Sequence, residues 1–158
     1  MSSGDSIFGG RVLICAFEGW NDAAESASQA AKLISETLQC QVAAEVDAED
    51  YYDFQFTRPS VSFDESGNRE LSWPGTSFMI SSEKDPALSR FSVLIGTEPA
   101  RRWKAFTAEI IEMIEDREID AVIFLGGMLA DTPHTRPITV NATSQNESVR
   151  SAMNIERS

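Results

Sequence analysis

Asp131, His134 and Arg136 lie close together in the segment Gly126-Gly127-Met128-Leu129-Ala130-Asp131-Thr132-Pro133-His134-Thr135-Arg136-Pro137. One loop could thus hold a carboxylate, an imidazole and a cation. Histidine is the side chain whose ordinary pKa suits proton transfer near neutrality, and His134 is the only one in the chain. A structural reading competes. Pro133 and Pro137 fix an extended loop, and Asp131, Thr132 and Thr135 can bond its backbone.

A second chemical stretch is Phe17-Glu18-Gly19-Trp20-Asn21-Asp22-Ala23-Ala24-Glu25. Gly19, just before a helix start, would let a ligand approach the backbone, and free amides there attract anions. Asp22 works against that reading, because a carboxylate at the cap occupies the same amides and repels phosphate. Trp20 and Asn21 complete a candidate pocket wall, Trp20 serving as a stacking platform or as a core or interface anchor. A third stretch, Thr97-Glu98-Pro99-Ala100-Arg101-Arg102-Trp103, sets arginines at a helix N-terminus. Cations are unfavourable to the dipole there, so a carboxylate elsewhere is expected to hold them. Finally, Tyr51-Tyr52-Asp53-Phe54-Gln55-Phe56 has the aromatic density of a protein contact surface, or of an insertion packed onto its own core.

The elements that must position these groups follow from periodicity. Arg11 to Phe17 is a continuous apolar run between Gly9-Gly10 and Gly19, as expected of a strand covered on both faces. From Asp22 the positions Ala23, Ala27, Ala30, Ile34 and Leu38 recur at helical spacing, with Asp22 and Glu25 forming an acidic capping box. Gln41 to Val46 reads as a second strand. Residues 47 to 75 read as an insertion carrying a hairpin around Asp64-Glu65-Ser66-Gly67-Asn68. Ser77 to Ser81 and Phe91 to Gly96 resume as strands. Arg101 to Arg117 is helical, with Trp103, Phe106, Ile110 and Met113 on one face. Asp120 to Leu125 reads as a buried strand, Ile138 to Thr143 as a further strand, and Ser144 with Glu147 as the cap of a last helix. The alternation predicts an α/β domain with a mixed, largely parallel sheet. In such sheets ligands sit outside the carboxyl ends of the strands, which is where the three loops fall.

Composition narrows the partners. The chain has 158 residues and a formal charge of −12, enough for one domain with a real core and too acidic for nucleic acid or anionic lipid. Cys15 and Cys40 form no C-x-x-C pair, and with a single histidine no metal site and no cofactor are expected. The N-terminus has no signal-peptide pattern, no segment is long and apolar enough for a membrane helix, and a cytoplasmic location is expected. Phosphate-loop, dinucleotide and nucleophile-elbow motifs do not occur.

Taken in order, Phe17-Glu18-Gly19-Trp20-Asn21-Asp22-Ala23, Tyr51-Asp53-Phe54-Gln55 with Arg58-Pro59, Gly96-Thr97-Glu98-Pro99 with Trp103 and Phe106, and Leu125-Gly126 through Pro137 resemble the proteasome assembly chaperone 2 family, most of all its actinobacterial branch. The resemblance runs from about Arg11 to the end. It implies a three-layer α/β/α fold similar to the phosphorylase and hydrolase type. It also implies self-association and, as in eukaryotic relatives, a non-catalytic role as a protein-binding assembly factor. The chain is expected to be a single α/β domain over 1 to 158 that stops within the longer family domain. No catalytic residue carries over. The family motifs fall on Gly19, Trp20, Asn21, Asp22, Glu98, Asp131, His134 and Arg136, and Arg101 joins them at the expected pocket. Tyr51, Tyr52, Phe54 and Phe56 are the expected protein contact. The alternative is a small-molecule binder or a hydrolase- or phosphorylase-like enzyme using the loops at the carboxyl ends of the strands.

Overall fold

Strand β1 (Arg11–Glu18) carries the longest apolar run of the N-terminal half, and Val12, Leu13, Cys15 and Ala16 are all fully buried. A strand can bury both faces only with neighbours on both sides and a layer above and below it. The computed structural model, which describes residues 8–133 and 135–155, supplies all four. β1 pairs in parallel with β6 (Phe91–Thr97) and with β7 (Ile119–Phe124). β5 (Thr76–Ile80) runs antiparallel to β6, and β2 (Gln41–Val46) antiparallel to β5. The order is β2-β5-β6-β1-β7, so four strands share one direction and β5 opposes them. The sheet is mixed and largely parallel.

Helix α1 (Ser26–Thr37) links β1 to β2, and helix α4 (Trp103–Asp116) links β6 to β7. The two connections cross the sheet in opposite directions, and right-handed crossovers then place the helices on opposite faces. The packing agrees. Ala27 and Ala31 of α1 meet Ala16 and Val93 on one face. Phe106 and Ile110 of α4 meet Leu13, Cys15, Phe78 and Leu94 on the other. This is the three-layer α/β/α arrangement. Burial pushes the Cys15 thiol up to about 12 and raises that of half-buried Cys40 as well.

Between β2 and β5 the chain forms a one-turn helix α2 (Ala48–Tyr51) and a separate hairpin of β3 (Ser60–Phe63) and β4 (Arg69–Ser72). Asp64 organises the hairpin turn by accepting from the amides of Ser66 at 2.9 Å and Asn68 at 2.7 Å. A further one-turn helix, α3 (Pro86–Ser89), lies between β5 and β6, its start capped by Asp85.

Four expectations need correction. The Asp22–Glu25 capping box does not form. Residues Ala23–Glu25 make a short 3-10 turn in which Ala24 and Glu25 are left-handed, and α1 begins only at Ser26. The strand at β7 is not covered on both faces among the described residues, since Val122 is 37% and Phe124 67% exposed. The alternation of Ile138 to Thr143 produces no ladder among the described residues, and Ile138 and Val140 stand exposed. Alternation makes a strand only where a neighbour takes its hydrogen bonds. The last helix, α5 (Glu147–Met153), is capped by Asn146 rather than Ser144, through bonds from the amides of Ser148 and Val149.

The chain divides into two compact units, the sheet with its helices at Gly10–Met128 and a smaller one that includes residues 129–133 and 135–155. In the smaller unit the Arg150 guanidinium ties α5 to the carbonyls of Ser144 and Gln145.

Candidate functional site

The parallel register sets Glu18 opposite Thr97, so the loops after β1 and β6 emerge side by side. Their helices then leave for opposite faces, and a crevice opens where neighbouring connections diverge. The protein's own groups fill it. The Glu98 amide donates to the Glu18 carbonyl at 3.0 Å, and the Trp20 amide donates to Glu98 Oε2 at 3.3 Å. Gly19 has φ of 146°, and a Cβ there would sit 2.8 Å from the Glu98 carboxyl. Only glycine permits that approach. The Trp20 side chain points away from all of this and is 90% exposed.

Asn21 and Asp22 are held from the other side. The Gly127 amide donates to the Asn21 carbonyl at 2.7 Å and the Ala23 amide to the Gly127 carbonyl at 3.0 Å. The chain beyond β7 thereby continues to pair alongside the β1 loop. Asp22 itself is only 6% exposed. Its Oδ1 accepts from the amides of Ala27 at 2.7 Å and Ser28 at 3.2 Å, which satisfies the start of α1. Burial works to raise its pKa, but the Ser28 hydroxyl, the two amides and the Lys32 charge outweigh it and hold the carboxyl below the ordinary range. Lys32 Nζ pairs with Glu18 Oε1 at 2.9 Å. Asp22 Oδ2 is enclosed without a hydrogen-bond partner among the described residues. An anion approaching α1 would therefore find its amides taken.

The arginines after β6 are held largely as carbonyl and carboxylate partners allow. Arg101 Nη2 donates to the Glu49 carbonyl at 2.6 Å. Arg102 pairs with Asp50 at 2.6 Å and lies over the Tyr51 ring, 5.4 Å from its centroid. The Ala100 amide donates to the Tyr51 carbonyl at 3.0 Å. Three loops, after β1, after β6 and around α2, are thus laced together at the carboxyl edge.

The aromatic stretch divides. Tyr51 and Tyr52 are buried, so the expectation that they form a contact surface is corrected. The Tyr51 hydroxyl donates to Glu109 at 2.6 Å, and that bond, with burial and nearby charge, raises the phenol's pKa. The Tyr52 hydroxyl shares a 2.7 Å bond with Thr76 Oγ1 and donates to the Thr97 carbonyl at 3.0 Å. A buried phenol needs such partners, and both lie far along the sequence. Phe54 packs edge-on against Trp73 at 4.9 Å. Phe56 alone projects, 85% exposed.

Asp131 and Arg136 lie in the smaller unit, both exposed. The Arg136 amide closes a turn onto the Pro133 carbonyl at 2.9 Å. His134 falls outside the described residues. Sequence reasoning missed Lys32, which reaches Glu18 from a helix position fourteen residues on, and nothing in local spacing marks it. No grouping of His, Cys, Asp and Glu among the described residues could hold a metal ion, and no helix among them is long and apolar enough to cross a membrane. A depression of about 350 Å³ lies on the α1 face, lined by Ile14, Leu33, Ile34, Thr37, Leu88 and Phe91. It carries no chemical group of the three loops.

A family model described as PAC2 family matches residues 16–157. Among solved structures, a PAC2 family protein from Streptomyces avermitilis is 35% identical with a TM-score of 0.80, over 94% of this chain and 63% of the other. A proteasome-assembly chaperone homologue from Mycobacterium tuberculosis is 34% identical with a TM-score of 0.77, over 92% of this chain and 61% of the other. A second Mycobacterium tuberculosis protein, of unknown function, is 28% identical with a TM-score of 0.76, over 92% of this chain and 49% of its own. The chain thus spans less than two thirds of the length of these relatives. No curated protein matches.

Proposed function

Since the chain belongs to the PAC2 family, we propose that it acts as a non-catalytic, self-associating assembly factor that binds another protein at the carboxyl edge of its sheet. One observation carries this reading. At the switch point, where this kind of sheet offers room for a small ligand, Glu98 fills the crevice and Asp22 fills the helix amides, while Trp20 and Phe56 stand in solvent. Exposed aromatics beside a closed crevice suit a protein partner better than a metabolite.

The proteasome-assembly name of the mycobacterial relative gives the first partner to try. Purified proteasome subunits from the source organism, before and after ring assembly, would be titrated with this protein in sedimentation experiments. Binding that weakens by about tenfold or more in Trp20→Ala, as expected of a hot spot, supports the reading. Absence of binding to either form, or binding indifferent to Trp20 and Phe56, rejects it.

A second reading, a small-molecule binder or enzyme using the same loops, has the enclosed and unpartnered Asp22 Oδ2 in its favour. A melting screen against nucleosides, phosphates and peptides separates the two, because a ligand at 100 times its Kd adds about 2.7 kcal/mol of stability.

A further inference from the structure

Alanine and glutamate are among the strongest helix formers, yet Ala24 and Glu25 are both left-handed, each with φ of 56°, in the turn ahead of α1. A left-handed residue with a Cβ is unfavourable enough to shift an equilibrium on the order of tenfold, and here two stand in succession. The local sequence asks for something else. Asp22 and Glu25 have the spacing of a capping box, and Ala23 lies four positions before Ala27, which α1 packs against Ala16 and Val93. Extended by one turn, α1 would start at Ala23. Asp22 would then cap the amides of Ala24 and Glu25, while Ala27 and Ser28 would donate to the carbonyls of Ala23 and Ala24.

Contacts distant in sequence oppose that extension. The Gly127 amide donates to the Asn21 carbonyl and the Ala23 amide to the Gly127 carbonyl, and Asp22 Oδ1 takes the two amides that a longer helix would satisfy from within. This clamp is closely fitted. A Cβ on Gly127 would run into Ser26 Oγ and lie 3.2 Å from the Ala23 nitrogen, so only glycine fits there without displacement. The clamp is also incompletely satisfied, because Asp22 Oδ2 is enclosed with no hydrogen-bond partner among the described residues. An enclosed carboxylate oxygen without a donor is unfavourable, and winding would return the carboxylate to the helix start. Local preference and distant contact therefore oppose each other across a single turn. Backbone strain of this kind persists only where the surroundings over-determine it, and it concentrates at clamps and switches.

We infer that residues 22–25 form a two-state element, clamped to Gly127 in one state and wound onto α1 in the other. Winding releases Asn21 and Ala23 from Gly127 together, and it moves the chain that presents the Trp20 amide to Glu98. The Glu98 crevice and the backbone leaving β7 are coupled through this turn. Anything that binds the β1 loop more tightly in one state shifts the hold on Gly127. The element does not depend on which occupant the loop takes, so its test stands apart from the titration against proteasome subunits.

Native-state hydrogen exchange, followed amide by amide in NMR spectra, tests it. The expected result is that the Ala23 and Gly127 amides exchange through a shared opening, well before the buried amides of β1. The Ala27 and Ser28 amides should stay protected meanwhile, because they are bonded in both states. Ala24→Gly relieves the clamped state and weakens the helical one, so it should slow exchange at Ala23 and Gly127 at least tenfold. Gly127→Ala, checked for folding by circular dichroism, should instead speed exchange at Ala23. Exchange of all four amides together overturns the inference, since it marks fraying of α1 rather than winding. Ala23 and Gly127 amides that open only with those of β1, or that exchange at the same rate in Ala24→Gly, overturn it as well.

Discussion

Helices α1 and α4 leave adjacent parallel strands, yet their first turns are secured in opposite ways. α1 starts on a buried carboxylate, Asp22, that takes the amides of Ala27 and Ser28. α4 has no side-chain cap and is preceded by a left-handed Arg102, with Lys104 close behind. What holds α4 is its packing. Phe106 sits edge-on to Phe17 at 6.0 Å and to Tyr51 at 5.3 Å, and Asp50 keeps Arg102 in place. One helix is fixed by a hydrogen-bonded charge, the other by aromatic contact, so each should fail under a different insult.

The largest effect is expected at Phe106. Phe106→Ala should cost about 3–5 kcal/mol in a urea melt, far more than any change to the α4 charges. Asp22→Ala should cost about 1–2 kcal/mol, the range of a lost helix cap. Acid sharpens that contrast. Because the Asp22 carboxyl is held below its unfolded value, its contribution is present above the ordinary carboxylate pKa of about 3.9 and is lost as pH falls through the folded value. The stability gap between wild type and Asp22→Asn should therefore narrow on acidification, while the deficit of Phe106→Ala should not follow that titration. Glu25→Gly should stabilise by about 1 kcal/mol, since a left-handed residue with a Cβ costs about that much and Glu25 has φ of 56°. Smallest of all, Lys104→Glu should stabilise the chain by about 0.3–1 kcal/mol in the same urea melt, because it removes a cation from the first turn of α4 where the dipole disfavours it.

The contrast also explains what the sequence made legible. Helical spacing identified both α1 and α4, and the apolar runs identified β1 and β7, because each of those signals is local. The start of α1 was harder. Asp22 does mark it, but the amides it takes lie five and six residues on, beyond a left-handed Ala24–Glu25 pair. Neither alanine nor glutamate announces that conformation. Tyr51 and Tyr52 looked like surface because their partners, Glu109, Thr76 and Thr97, are supplied by elements far along the chain. Gly19 and Glu98 both stood out, whereas their meeting depends on the β1–β6 register and could not be read from either segment. An apolar strand likewise does not reveal how much of it will be covered, as the exposed Phe124 of β7 shows.

Cys15 sits at the middle of β1, fully buried, with a thiol that scarcely ionises. Alkylating reagents attack thiolates, so in the native protein they should modify half-buried Cys40 first and reach Cys15 only when the sheet opens around it. A time course of labelling would then record two clocks in one molecule. The slow one would count the separation of β1 from its neighbours with no residue introduced into the chain.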